Sequence, residues 1–284
     1  MHSHLTVMGL GYSARALVQR LRHREGWSMS GTTRSADRRL ELLVECPDVR
    51  IWPDEDLRGL FRKTTHLLVS TPPGEAGDPV LVALHRQLLE ECRRLEWIGY
   101  LSTTAVYGDH KGAWVDENTP PAPGTRRGEL RLKAEGNWTE FARVADVRLC
   151  VFRLAGIYGP GRGPVEQVRR GRKFRIVKPG QVFNRIHVAD IASALLAAIF
   201  DADAEGIFNV CDDLPERPDK VISHAAKLLS VDEPPAIPFE DAELSPMARS
   251  FYAESKRVRN DRIKKTLGLQ LQYPTYRSGF RSLL

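Results

Sequence analysis

Short apolar runs and longer periodic stretches take turns along the first half of the chain. Leu5-Thr6-Val7-Met8 predicts a buried strand, and Arg15-Ala16-Leu17-Val18-Gln19-Arg20-Leu21 reads as a helix. Trp27–Thr32 predicts a second strand, 36–45 a helix, and Val49-Arg50-Ile51-Trp52 a third strand. His66–Thr71 predicts a fourth, stopped by Pro72-Pro73-Gly74. Leu81, Leu84, Leu88 and Cys92 fall on one face of a helix over 79–95. Trp97–Ser102 is a fifth strand, 126–144 a helix and Val147–Arg153 a sixth strand. Such alternation predicts an α/β fold: a parallel sheet covered by helices on both faces.

The punctuation changes after residue 156. Gly156, Gly159-Pro160-Gly161, Gly163-Pro164 and Pro179-Gly180 break up a region of short strands. A helix at 189–200, with Asp190 near its start, and a strand at Gly206–Val210 are the clearest later elements. Pro234, Pro235, Pro238 and Pro246 mark a small lobe at the end. The expected organisation is a core over 1–155, followed by 156–284, which completes the sheet and forms a smaller C-terminal lobe.

At 284 residues the chain can bury one large core, or a core and a lobe. Its 42% hydrophobic and 27% charged content is that of an ordinary globular protein. The net charge of +6 suits an anionic ligand. The cations are interspersed with acids, however, which argues against nucleic acid as a partner. Cys46, Cys92, Cys150 and Cys211 form no CxxC pair and have no histidines beside them, so no metal site is expected. They read as reduced thiols of a cytoplasmic protein. No run reaches the 18 or so apolar residues of a membrane span, and no signal peptide precedes the first strand.

Between the first strand and the first helix stands Gly9-Leu10-Gly11-Tyr12-Ser13-Ala14. The first glycine permits a tight turn and the second lets backbone approach a pyrophosphate. Ala14 is small enough for close helix–strand packing, and the helix N-terminus offers N–H groups to the phosphates. Gly9, Gly11, Tyr12, Ser13 and Ala14 are therefore candidate dinucleotide ligands. An acidic residue ending the second strand would favour the ribose hydroxyls of NAD, whereas a cation there accommodates the 2′-phosphate of NADP. Here the strand runs into Thr33-Arg34-Ser35, with no carboxylate before Asp37. Arg34 can fork two N–H groups onto a phosphate, and the Thr33 and Ser35 hydroxyls can add donors. NADP is expected in preference to NAD.

Four motifs in order give the chain a family likeness. They are the Gly9–Ala14 loop, Leu101-Ser102-Thr103-Thr104-Ala105-Val106-Tyr107-Gly108, Phe152-Arg153-Leu154-Ala155-Gly156-Ile157-Tyr158-Gly159-Pro160-Gly161, and Arg185-Ile186-His187-Val188-Ala189-Asp190-Ile191-Ala192. The chain resembles the extended short-chain dehydrogenase/reductases, the group of NAD(P)-dependent sugar-nucleotide epimerases and dehydratases. It is most similar to their atypical, epimerase-like branch. The likeness spans about 1–215, and implies a Rossmann-type doubly wound sheet. It also implies that Ser70-Thr71-Pro72, Ser102 and Leu154-Ala155-Gly156 line the coenzyme. The hydroxyl that binds the reacting oxygen falls on Thr103. Relatives often pair through helices after strands four and five, so a homodimer is expected.

One part of the family's machinery is missing. A tyrosine, acidified by a lysine four residues later, should open helix 126–144. Arg126-Arg127-Gly128-Glu129-Leu130-Arg131-Leu132-Lys133 contains no tyrosine; Glu129 precedes Lys133 and Arg127 precedes Arg131 by that spacing. Glutamate has the wrong proton affinity and arginine is a poor proton donor. Losing such a group costs about 10²–10⁴ in rate. Tyr107 or Tyr158 are candidate substitutes, with Glu129 or Lys133 behind them, while His187 reads as structural or as a substrate contact. Arg153, Arg162, Arg172, Lys173, Arg175, Lys178 and Arg185 lie where relatives hold a nucleotide-sugar diphosphate.

The expected function is an NADP-binding oxidoreductase or epimerase-like protein acting on a small polar molecule, nucleotide-sugar-like in one version. Thr103 and Tyr107 are its candidate catalytic residues. The rival reading is a non-catalytic NADP sensor or partner-binding protein, which the missing tyrosine and lysine favour.

Overall fold

The computed structural model describes residues 2–284. In chain order the elements begin β1 (Ser3–Met8), α1 (Tyr12–Leu21), β2 (Trp27–Thr33), α2 (Ala36–Leu42), β3 (Asp48–Ile51), α3 (Arg58–Phe61), β4 (His66–Val69) and α4 (Pro79–Glu91). They continue with β5 (Trp97–Thr103), a 3-10 turn (Thr104–Tyr107), β6 (Trp114–Val115), α5 (Arg126–Ala145), β7 (Arg148–Leu154), β8 (Gly156–Tyr158), α6 (Pro164–Arg169), β9 (Arg175–Val177) and β10 (Arg185–His187). The last are α7 (Val188–Phe200), β11 (Gly206–Val210), α8 (Pro218–Leu228), β12 (Ala236–Pro238), α9 (Pro246–Phe251), β13 (Arg257–Val258), α10 (Asp261–Leu267) and α11 (Tyr276–Arg281).

Seven strands form the main sheet in the order β11-β7-β5-β4-β1-β2-β3. The pairs from β5 through β4, β1 and β2 to β3 are parallel. This is the Rossmann-like doubly wound α/β fold expected from the alternation. Strands β1 and β4 are buried on both sets of alternating positions, as a sheet covered on two faces requires. On one face Met8, Val69, Ile98, Tyr100 and Val151 pack against Leu88 of α4 and against Ala134, Trp138 and Phe141 of α5.

The chain divides into two compact units. The first comprises Met1–Ser102, Leu130–Arg153 and Ile191–Phe208; the second comprises Thr103–Glu129, Leu154–Asp190 and Asn209–Leu284. The chain thus crosses from one unit to the other repeatedly, not once near residue 155. In the second unit α6 and α8 pack Val165, Val168, Val221 and Ile222 with Tyr158, Tyr276 and Phe280. Both helices open with proline at the first turn, where a missing N–H costs nothing. The prolines that mark this region in the sequence therefore start helices as well as break them.

Candidate cofactor site

Strand order places β1 between β2 and β4. The chain runs outward from β1 through β2 to β3 and then returns to β4 on the other side of β1, and such a reversal opens a crevice at the carboxyl ends of the strands. Gly9 ends β1 at φ +92°, a conformation open to glycine. Its N–H donates to Thr32 Oγ1 at 2.9 Å, and Leu10 N–H donates to Thr32 O at 2.8 Å. Gly11 N–H turns back to Gly9 O at 2.8 Å. A Cβ on Gly9 would stand 3.2 Å from Thr71 Cγ2, so glycine keeps the loop after β1 against the loop after β4. The N-cap of α1, Gly11, carries no side-chain acceptor, and the first turn has no acid. Its amide end therefore suits an anion. Ser13 and Ala14 are buried behind the loop.

At the end of β2 the hydroxyls serve the chain itself. Thr33 Oγ1 accepts from Ser35 N at 3.4 Å, and Ser35 Oγ caps α2 by accepting from Arg38 N at 3.3 Å. Each keeps its own proton to donate. Arg34 is exposed, and no acid among the described residues pairs with it. Asp37 is also exposed, within the first turn of α2.

The carboxyl edges of β4 and β5 are tied to α5 by two polar residues one turn apart. Arg131 Nη1 donates to Leu101 O at 2.9 Å, Tyr100 Oη at 3.0 Å and Thr71 O at 3.3 Å. Glu135 accepts from Arg153 Nη2 at 2.8 Å, and from the hydroxyl of Ser102. The Ser102 hydroxyl is thereby engaged in the interior of the first unit. Burial pushes the Tyr100 phenol well above its ordinary range, with Arg131 opposing. This phenol–guanidinium contact is therefore no replacement for the missing acid–base pair. Ser70 and Thr71 stand partly exposed beside the first loop, with Pro72 exposed after them.

Among the second unit's residues, Thr103 accepts from Ala105 N at 3.2 Å and so caps the 3-10 turn. Tyr107 is fully buried, and its phenol donates to Asn209 Oδ1 at 2.8 Å. A phenol so placed packs and anchors the turn. Tyr158 is equally buried, its phenol pushed far up by burial, and it is a poor proton donor. Burial holds His187 neutral down to about 4. Leu154 and Ala155 are buried, while Gly156 is exposed at the start of β8.

Most of the cations expected to face a diphosphate, Arg162 among them, are engaged within the protein. Arg153 pairs with Glu135; Arg172 Nε donates to Phe174 O; Arg175 pairs with Glu233; Lys178 donates to Tyr252 O; Arg185 donates to Phe183 O and Glu216 O. Among the described residues no group of three or more His, Cys, Asp or Glu side chains could hold a metal ion.

From the sequence, Arg131 reads only as a failed acid–base group, and Arg153 as one of the cations lying where relatives hold a diphosphate. Glu135 was missed. The signal was present: Arg131, Glu135, Trp138 and Ala142 recur at helical spacing. A polar pair on the apolar stripe of α5 is a buried pair by that pattern.

With this fold and loop in place, the chain belongs to the NAD dependent epimerase/dehydratase family, whose model matches residues 70–211. Protein YeeZ of Escherichia coli (strain K12) is 26% identical over 287 residues, covering 95% of this chain and 96% of that protein. A functionally unknown conserved protein from Silicibacter pomeroyi DSS shares 49% identity and a TM-score of 0.92, over 99% of this chain and 98% of that one. UDP-glucuronic acid 4-epimerase from Bacillus cereus, in complex with UDP-glucuronic acid and NAD, has a TM-score of 0.78 at 18% identity, over 99% and 97% of the two chains. That last likeness is one of fold.

Proposed function

We propose that the chain is an NADP(H)-binding oxidoreductase or epimerase-like member of its family, acting on a small polar molecule in the cytoplasm. One observation carries the coenzyme choice: Arg34, exposed and without an acidic partner, stands at the end of β2 where no carboxylate competes for the ribose. Gly9, Gly11 and the open amide end of α1 would hold the paired phosphates, and Arg34 the 2′-phosphate, with Thr33 and Ser35 beside it. The residues fit the group: the loop has no side chain that would fill the cradle, and no acid stands in the first turn of α1. A bound nicotinamide supplies a hydride donor or acceptor. Thr103 offers a hydroxyl to orient the oxygen on the reacting carbon.

Side-by-side titration with NADPH and NADH tests the reading. NADPH should bind at least tenfold tighter, and Arg34→Asp should remove most of that preference, on the order of 1.4 kcal/mol. Equal affinities in the parent protein would overturn it.

A second reading, a coenzyme sensor without turnover, draws support from α5. Its opening holds Arg126 and Arg127 in place of a phenol, and Arg131 is tied to three acceptors. NADPH oxidation with a carbonyl panel, abolished by Thr103→Val, would favour the enzyme. Tight binding without turnover would favour the sensor.

A further inference from the structure

The segment Glu254-Ser255-Lys256 is fastened from two sides within the second unit. Ser255 N donates to Asp109 Oδ1 at 2.8 Å, and Ser255 O accepts from His110 N at 3.0 Å and Gly112 N at 2.9 Å. From the other side Gln181 Nε2 donates to Glu254 O at 2.7 Å, and Asn184 Nδ2 to Lys256 O at 2.9 Å. The side chains carried on this backbone form an ion pair 2.7 Å apart, with Lys256 8% and Glu254 10% exposed. Lys256 Nζ also donates to Gly108 O at 2.7 Å. The carboxylate is thus held by Oε2. Its other oxygen, Oε1, is buried and has no hydrogen-bond partner among the described residues. Buried polar groups are nearly always paired. Gly124 shows where a partner would sit. It is exposed, in the loop before α5, and a Cβ built on it would lie 3.4 Å from Glu254 Oε1. Its chain neighbours apart, no other described atom comes within 4 Å of that point. The place of a side chain at 124 is therefore empty and ends on Oε1. Gly108 seats this loop, because a Cβ on Gly108 would overlap Ala122 O. Gly108 also closes the 3-10 turn that Thr103 opens.

We infer that Glu254 is a specificity determinant, whose Oε1 accepts a hydrogen bond from a substrate hydroxyl seated in the space beside Gly124. The inference rests on the reading of Thr103 as the residue that orients the substrate, because Thr103 and the Lys256 contact lie at the two ends of one turn. An ionised carboxylate accepts hydrogen bonds and donates none. Lys256 already neutralises this one, so a neutral O–H donor suits it better than a second cation. A bond to a charged acceptor is stronger than one between neutral groups, and a site built to receive a hydroxyl rejects an analogue that lacks it. Glu254 thereby selects a molecule with a second hydroxyl, besides the oxygen held by Thr103. It binds and orients, and no proton moves in this role.

The experiment compares the full chain with Gly124→Ser and Gly124→Ala, by thermal melts and by ligand-observed NMR titration with D-glucose, glycerol and D-glucosamine. Both variants keep the Lys256–Glu254 pair, and alanine controls for the lost freedom of glycine. Gly124→Ser should melt higher than Gly124→Ala, because its own hydroxyl can reach Oε1. At least one of the two neutral probes should bind the parent, and Gly124→Ser should weaken it about ten- to hundredfold, the worth of a hydrogen bond to a charged group. NADPH affinity should stay at the parent value. Equal melting temperatures for the two variants would overturn the subsite, since Oε1 would then need no partner. Parent-like probe affinity in Gly124→Ser, or no neutral probe bound by a parent that binds NADPH, would overturn it while the functional reading stands. Tighter binding of glucosamine than of glucose would show that the site takes a cation, and would overturn the hydroxyl assignment. A parent that binds no NADPH would remove the functional reading, and the substrate subsite with it.

Discussion

Glu135 and Arg153 form an ion pair in the interior of the first unit, 2.8 Å apart with side chains 6% and 2% exposed. Ser102 adds its hydroxyl to the same carboxylate. Removing one partner strands a buried charge, which typically costs about 3–5 kcal/mol. Glu135→Leu should therefore lower stability by about that amount in urea unfolding. Glu135→Leu combined with Arg153→Met should recover much of the loss. A single variant as stable as the parent would contradict the account of this pair.

Gly31 lies on β2 beneath the phosphate loop, and a Cβ there would overlap the side chain of Leu10. Leu10 is itself buried between the two glycines of the loop. Gly31→Ala should displace the loop, costing about 1–3 kcal/mol as overpacking does and weakening NADPH. Adding Leu10→Ala should restore part of both. Unchanged binding in Gly31→Ala would show that the loop position does not govern coenzyme affinity.

Tyr107→Phe separates packing from chemistry. The variant loses one buried hydrogen bond, to Asn209 Oδ1, for about 1–2 kcal/mol of stability. Coenzyme affinity should not change, and any turnover found in the parent should persist within a few-fold. A loss of turnover by a hundredfold or more, with affinity retained, would return Tyr107 to the catalytic role its motif suggests.

Acid should weaken the fold through its buried imidazoles. Burial lowers His4, His66 and His187 to about 4 from an ordinary value of 6.5. Between those values the unfolded chain binds more protons than the fold, so stability falls as pH drops from 6.5 towards 4. Asp212 acts in the opposite sense. Burial raises it to about 7, so its contribution is full below the ordinary carboxylate value and is lost as pH rises to 7. Asp78 and Glu117, also raised by burial, act with Asp212, whereas Glu45 and Asp48, held below the ordinary carboxylate range, act with the imidazoles, and the net slope should follow the imidazoles. Melting temperature should fall from pH 6.5 to 4.5, and His66→Gln should flatten that slope. A slope of the opposite sign would mean that the imidazoles are protonated in the fold.

The sheet was legible because its signals are local. Apolar runs such as Leu67-Leu68-Val69 and the Gly9–Ala14 turn need no distant partner to be read. The edge of the site was less so. Ser102 and Tyr107 sit in motifs that suggest chemistry, yet one is bound by Glu135 and the other by Asn209, residues 33 and 102 positions away. Such pairings depend on tertiary proximity that residue spacing does not encode. Helix α8 was missed for another reason. Its buried face includes Pro218 and Asp219, types that read as loop, and its packing against α6 supplies the burial.

The account stands on the paired phosphates of a dinucleotide lying in the Gly9–Ser13 loop. A crystal structure of the full chain grown with millimolar NADPH tests this most directly. The phosphates should lie about 3 Å from the amide nitrogens at the start of α1, with the 2′-phosphate on Arg34. A well-ordered loop holding no coenzyme, or coenzyme bound elsewhere, would contradict it.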